Sequence, residues 1–184
     1  MKRLTLAFAM GGLCAFSSVA FPTAAAALET YEAKMQASEI ASRAAFDAFE
    51  TFGFKRPKPG QYVWRSVPDS AGPERVVISL SEQLTYLYRG DTLVAMAATS
   101  TGIEGRNTPS GIFSVLDKKP FYRSKKYDNA PMPWMQRIDQ YGIALHGGYN
   151  PGYPASHGCI RLPVAFAKKL YAVTGIGTPV YIGA

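Results

Sequence analysis

Histidine and cysteine are nearly absent from this chain, with two of each among 184 residues. Cys14 lies within the first twenty positions, so Cys159 stands alone in the rest of the protein and cannot form an internal disulfide. Charged residues are sparse as well. They make up 18% of the chain against 47% hydrophobic residues, which excludes the polar composition of a disordered protein. No internal repeat or low-complexity tract is present. The longest apolar run, Leu4 to Ala20, is short for a membrane span and is broken by Gly11, Gly12 and the Ser17–Ser18 pair. Lys2 and Arg3 precede it and the small residues of "TAAAALE" follow, so residues 1–27 read as an export signal cleaved near Ala26 or Ala27. An uncleaved signal is the one route to a membrane. Leu13, ahead of Cys14, is larger than lipoprotein processing accepts.

Acidic residues number 13 against 20 basic ones, a net charge of +7 that falls to +5 when Lys2 and Arg3 are removed. Export argues against nucleic acid as a partner. An anionic cell-surface polymer fits the charge, and so does plain solvation of the surface.

Gly and Pro are missing between residues 28 and 52, where "LETYEAKMQASEIASRAAFDAFETF" predicts a helix with a loose apolar face of Met35, Ile40, Ala44, Phe46 and Phe49. "KRPKPG" then breaks it, so residues 28–74 read as a helical extension and linker. Residues 75–184 are expected to form a mostly β domain from the short β-branched and aromatic runs "RVVISL", "QLTYLYR", "TLVAMAATS", "GIFSVLD", "YGIALH", "GCIRL" and "TPVYIG". Gly90 and Asp91 turn a hairpin with Leu84, Tyr86 and Tyr88 on one face, and one late helix, "VAFAKKLYAVTG", opens at Pro163 and closes at Gly175. Lys118 to Gln140 shows no clean period and is expected to be a lid.

The scarce residues gather in fourteen positions, in "HGGYNPGYPASHGC". Read as a strand, "HGCIRL" sends His157, Cys159 and Arg161 toward a cleft and Ile160 and Leu162 toward the core. An imidazole beside a thiol supports nucleophilic catalysis, because a free thiol is mostly protonated at neutral pH and needs a base. His146 is the candidate base and the Gly147 carbonyl the nearest group to orient it. The backbone N–H groups of Gly158 and Cys159 are the candidate receivers of the developing oxyanion. Two histidines and a cysteine are also a zinc or copper ligand set, but no carboxylate lies between His146 and Cys159 to support one.

The ordered set "TPSG", "HG" and "SHGCIRL", with the opening "VVISLSEQLTYLY" and the closing "GTPVYI", resembles the L,D-transpeptidase catalytic domain (YkuD family) of bacterial cell-wall enzymes. The resemblance covers residues 75–182 and implies a β-sandwich-like fold without metal or other cofactor. It makes Cys159 the nucleophile, His146 the general base and acid, Gly147 the orienting carbonyl, and His157 a residue lining the site. Ser156 and Gly158 shape the turn, and Arg161 stands where Asn is frequent in the family. Trp134 and Tyr149 are candidates for the groove. The implied reaction is acyl transfer on peptidoglycan tetrapeptide stems in the periplasm or cell wall, with another stem, a lipoprotein or a D-amino acid as acceptor. Water as acceptor would make an L,D-carboxypeptidase. A sortase-like or other cysteine peptidase and a wall-binding module with a dead site are the remaining readings. The glycine before Cys159 disfavours the sortase.

Overall fold

The computed structural model describes residues 27–184, so the expected export signal lies outside them but for its last residue. Among the described residues the first element is α1 (Tyr31–Phe52), then come β1 (Tyr62–Trp64), a 3-10 turn (Asp69–Ala71), β2 (Glu74–Ser79), β3 (Leu84–Arg89), β4 (Thr92–Ala98) and β5 (Gly111–Ser114). β6 (Asp117–Lys119), β7 (Met135–Arg137), β8 (Ala144–Gly147) and β9 (Ile160–Leu162) precede α2 (Val164–Val173) and β10 (Pro179–Gly183). Two sheets result, one ordered β1-β4-β3-β2-β10-β5 and the other β6-β7-β8-β9. Mostly β architecture with one helix at each end of the chain is what the pattern of short runs predicted.

The larger sheet is covered on both faces, which explains why its strands read as near-continuous apolar runs. Val76, Ile78, Leu87, Val180 and Ile182 face α2 and the second sheet, while Val77, Leu84, Tyr86, Tyr88 and Met96 face α1. The hairpin turns at Gly90 and Asp91 as expected. Phe166, Ala167 and Leu170 of α2 fill the space between the sheets.

Helix α1 keeps Ile40 and Ala44 of its expected face against the sheet but not the three larger residues. Ala33, Ala37, Ala41, Ala44 and Ala48 are buried, whereas Met35, Phe46 and Phe49 are about half exposed. Close approach is the reason: a Cβ added to Gly183 of β10 would stand 2.7 Å from both the Ala37 carbonyl oxygen and the Ala41 Cβ. A stripe of alanines against a glycine lets the helix lie on the sheet, and larger residues on that face would hold it off. The segment ahead of residue 75 is thus packed on the sheet, and β1 is hydrogen-bonded to β4 with Tyr62 opposite Ala97.

The expected lid is bounded by strands, because β6 and β7 pair antiparallel with Lys118 opposite Gln136 and leave only residues 120–134 as loop. Strands of three residues are too short to show a period in sequence.

Candidate active site

Alternation divides the β6-β7-β8-β9 sheet into two faces. Leu145, Ile160 and Leu162 enter the core on one. On that side Lys118 Nζ donates to the Tyr171 carbonyl at 2.7 Å and to the Thr174 carbonyl, holding β6 to the end of α2. The other face carries the chemistry. Register sets Asp117 beside Arg137, Arg137 beside Ala144, Lys119 beside Met135 and His146 beside Arg161. One residue back from Ile160, Cys159 comes beside Ala144, and it packs on Met132, Met135 and Ala144. His146 and Cys159 are therefore diagonal neighbours on one face of adjacent parallel strands, a relation that in a sheet spans roughly 7–8 Å.

The turn ahead of Cys159 differs from the strand expected there. Gly158 has φ +111°, and a Cβ on it would meet Ile143 Cδ1 at 2.7 Å. The strand accordingly starts at Ile160, and alternation holds for Cys159 and Arg161 but not for His157. His157 is exposed and stacks on Tyr127 of the 120–134 loop, with ring centroids 4.4 Å apart. Ser156 is buried and turned inward: its Oγ accepts the Gly158 N–H at 3.0 Å and donates to the Cys159 carbonyl at 2.5 Å. The Gly158 N–H, expected to receive an oxyanion, is committed to that bond. The Cys159 N–H has no partner among the described residues and is the donor left for the role.

Thr108 of "TPSG" is the hidden support of this turn. Its buried Oγ1 donates to the Gly158 carbonyl at 2.7 Å and accepts the Gly102 N–H at 2.9 Å. Thr108→Val is isosteric but strands both groups, so we expect a loss of about 2 to 4 kcal/mol in denaturant unfolding. A loss below about 0.5 kcal/mol would show that the turn stands without it.

The electrostatics describe a neutral pair. Burial holds the His146 imidazole down at about 4, with the Arg161 charge acting the same way against a raising hydrogen bond to the Gly147 carbonyl. Nδ1 lies 2.9 Å from that carbonyl oxygen. A carbonyl only accepts, so Nδ1 carries the proton and Nε2 keeps its lone pair. Burial likewise pushes the Cys159 thiol up, with Asp139 adding to the rise while a backbone hydrogen bond from Ala144 and the Arg161 charge oppose it. The thiol lies 3.7 Å from the Gly142 carbonyl oxygen, toward which it donates. At neutral pH the resting state is therefore thiol and imidazole, and the thiolate expected from sequence must form as the proton leaves during attack.

Arg161 is half-buried, with its aliphatic carbons and the His146 ring both against Gly148. Tyr149 is exposed on the turn after β8. Trp134 is not brought to the thiol: it packs on Tyr171 of α2 at 5.6 Å between centroids, with Phe121 on it at 6.1 Å. Asp139 went unnoticed in sequence. Its Oδ1 accepts the N–H groups of Gly142 and Ile143 at 2.7 and 2.8 Å and so shapes the turn that faces the sulfur. The Asp-x-x-Gly spacing of "DQYG" is the signal that could have found it. Among the described residues no three His, Cys, Asp or Glu side chains converge, so the two histidines and Cys159 do not form the ligand set that the sequence left open.

The family model of the L,D-transpeptidase catalytic domain (YkuD) matches residues 73–182. The YkuD protein of Bacillus licheniformis is 32% identical over 123 residues, 62% of this chain and 68% of its own. An L,D-transpeptidase from Xylanimonas cellulosilytica is 29% identical with a TM-score of 0.54, the match covering 65% of this chain and 64% of the solved one. An L,D-transpeptidase from Mycobacterium smegmatis shares the fold at 20% identity and a TM-score of 0.56, over 60% of this chain and 58% of its own. This chain thus spans under two thirds of each of those solved chains.

Proposed function

Because this chain belongs to the L,D-transpeptidase catalytic-domain family, we propose that it is an exported cysteine acyltransferase acting on peptidoglycan tetrapeptide stems. Cys159 Sγ attacks the carbonyl of the third, diamino residue of a stem, and Nε2 of His146 takes the thiol proton as the bond forms. The tetrahedral oxyanion is received by the Cys159 N–H. The C–N bond to the terminal D-Ala then breaks, the His146 proton goes to the departing amine, and a thioester remains. A side-chain amine of a second stem attacks the thioester and gives up a proton to His146. The sulfur leaves and recovers that proton, and the two stems are joined by a 3-3 crosslink. Gly147 orients the base, and burial, with the Arg161 charge acting the same way, keeps it uncharged. Export through residues 1–27 would deliver the chain to the periplasm or the cell wall, where such stems are found.

The observation that carries this reading is the shared sheet face. A half-buried thiol and an imidazole with its Nδ1 hydrogen-bonded stand on neighbouring strands, with an unpartnered N–H at the sulfur. Mass spectrometry of stems incubated with the purified mature chain tests it. We expect free D-Ala together with a dimer of mass equal to two stems less one D-Ala. Tripeptide alone would assign water as the acceptor and make the enzyme a carboxypeptidase, and unchanged tetrapeptide would end the reading.

A further inference from the structure

Gln83 is buried in the turn between β2 and β3, where its backbone takes φ +53°. Gly or Asn would fit that left-handed conformation with less strain, so the turn itself does not call for a glutamine. The side chain is fully engaged. Nε2 donates to the Leu80 carbonyl and to Thr101 Oγ1, both at 2.7 Å, while Oε1 accepts the Thr101 N–H at 2.9 Å. Only one orientation of the amide serves, because the carbonyl on one side needs a donor and the N–H on the other needs an acceptor. The Gln83 carbonyl also accepts the Thr99 N–H at 2.8 Å, so Gln83 grips the stretch that follows β4 at residues 99 and 101.

That stretch holds the turn of the nucleophile from both sides. The Ser100 N–H donates to the Arg161 carbonyl at 3.0 Å and the Arg161 N–H to the Ser100 carbonyl at 2.9 Å. The Thr101 carbonyl accepts the N–H groups of Ala155 and Ser156, each at 3.0 Å. Cys159 lies between these two attachments. A further link reaches its own peptide. The Gly102 N–H donates to Thr108 Oγ1 at 2.9 Å, and that hydroxyl donates to the Gly158 carbonyl at 2.7 Å. The Gly158 carbonyl and the Cys159 N–H belong to one planar trans unit, in which they point in opposite directions. Whatever fixes that carbonyl therefore aims that N–H. Gln83, Thr101 and Thr108 are all buried, so no water loosens the line between them.

Resting on the acyl-transfer reading above, we propose that Gln83 is a positioning residue for the oxyanion: through Thr101, Gly102 and Thr108, its amide aims the Cys159 N–H at the substrate oxygen that becomes negative. Gln83 itself touches neither sulfur nor substrate. Without its amide the Thr101 N–H loses its acceptor, the Gly102 N–H shifts beneath Thr108, and the Gly158–Cys159 peptide unit tilts. A donor fixed in place before the charge develops is what makes such a group effective, and a small misplacement forfeits much of the gain. The sulfur and His146 are untouched by that tilt, since His146 stands on β8 and is held by the Gly147 carbonyl.

D-Ala release from tetrapeptide stems, set beside alkylation of Cys159 by iodoacetamide, tests the assignment on the mature chain. Alkylation forms an S–C bond as iodide leaves and builds no oxyanion, so it reports the thiol and its base without the N–H. Gln83→Met, close in volume, should lower kcat per folded chain about 10- to 100-fold, the folded fraction being read by circular dichroism. KM and the alkylation rate should stay within about twofold, which a merely structural residue would not arrange. Thr108→Val should lower kcat in the same way. The double variant should be no more than about threefold worse than the poorer single one, because both act along one line. Gln83→Glu keeps the acceptor for Thr101 and loses the donors; it decides the matter where Gln83→Met does not fold, and should lower kcat about tenfold. A kcat per folded chain within twofold of the wild type, an alkylation rate that falls as far as kcat, or a double variant showing the product of the two single losses would overturn the assignment while leaving acyl transfer standing. A wild type that releases no D-Ala would remove both.

Discussion

Cys159→Ala is expected to reduce D-Ala release from tetrapeptide stems by on the order of 10⁴-fold or more, because among the described residues no other thiol stands beside His146 and what remains is binding and a single N–H donor. Stability should change by under about 1 kcal/mol, since only a half-buried sulfur atom is lost and its apolar neighbours Met132, Met135 and Ala144 remain packed on one another. That combination separates the catalytic reading from a wall-binding module and from a metal enzyme, two of the others that the sequence left open. A wall-binding module would bind sacculi equally with and without the sulfur and release no D-Ala in either form. A metal enzyme would lose its ion with the cysteine. A carbapenem, which presents a strained acyl group, should add its mass to the wild type and not to the alanine variant. D-Ala release that survives in Cys159→Ala would end the assignment, whatever the motif suggests.

Some of this was legible because sequence reports chemistry more directly than it reports contact. Fourteen residues holding every histidine and the one usable cysteine pointed to the candidate site, and Ile160 and Leu162 showed which way Cys159 faces. The same alternation misled at His157. A glycine at φ +111° leaves no trace in a hydrophobic pattern, yet it turns His157 out of the strand and onto Tyr127. Helix α1 stands where the sequence put it, but Met35, Phe46 and Phe49 of its expected face are half exposed for a related reason: periodicity looks for large apolar residues, and here the buried stripe is alanine, chosen by the distance to Gly183 rather than by volume. A cavity that Asp117, Lys119 and Arg137 help to line was invisible because it is created by register across strands, a long-range property that no local window contains. The neutral state of the thiol and imidazole also lay beyond the sequence. It depends on how deeply both are buried, and the motif is the same whether they are exposed or enclosed.

His146→Gln should slow acylation of Cys159 by about 10² to 10⁴-fold, the range lost with a general base, and should also remove the acid limb of the pH profile. In the wild type that limb falls near pH 4, where the buried imidazole takes up a proton and can no longer accept one from sulfur. Rates should be level from about pH 5 to neutrality, unlike the profile of a preformed thiolate, whose acid limb would sit at the ionisation of the thiol. Stability carries the same signature with a definite sign. An imidazole free in the unfolded chain titrates near 6.5 and the folded one near 4, so between those values the unfolded chain holds the extra proton. Stability is therefore full above about pH 6.5 and declines as pH falls toward 4, by on the order of 3 kcal/mol in total, and the glutamine variant should lack this decline. His157→Gln serves as the contrast. That ring is exposed and packs on Tyr127 of the 120–134 loop, so acylation should stay within about tenfold and the acid limb should remain where it was. If the limb instead moves with His157 and persists in His146→Gln, the base has been assigned to the wrong histidine.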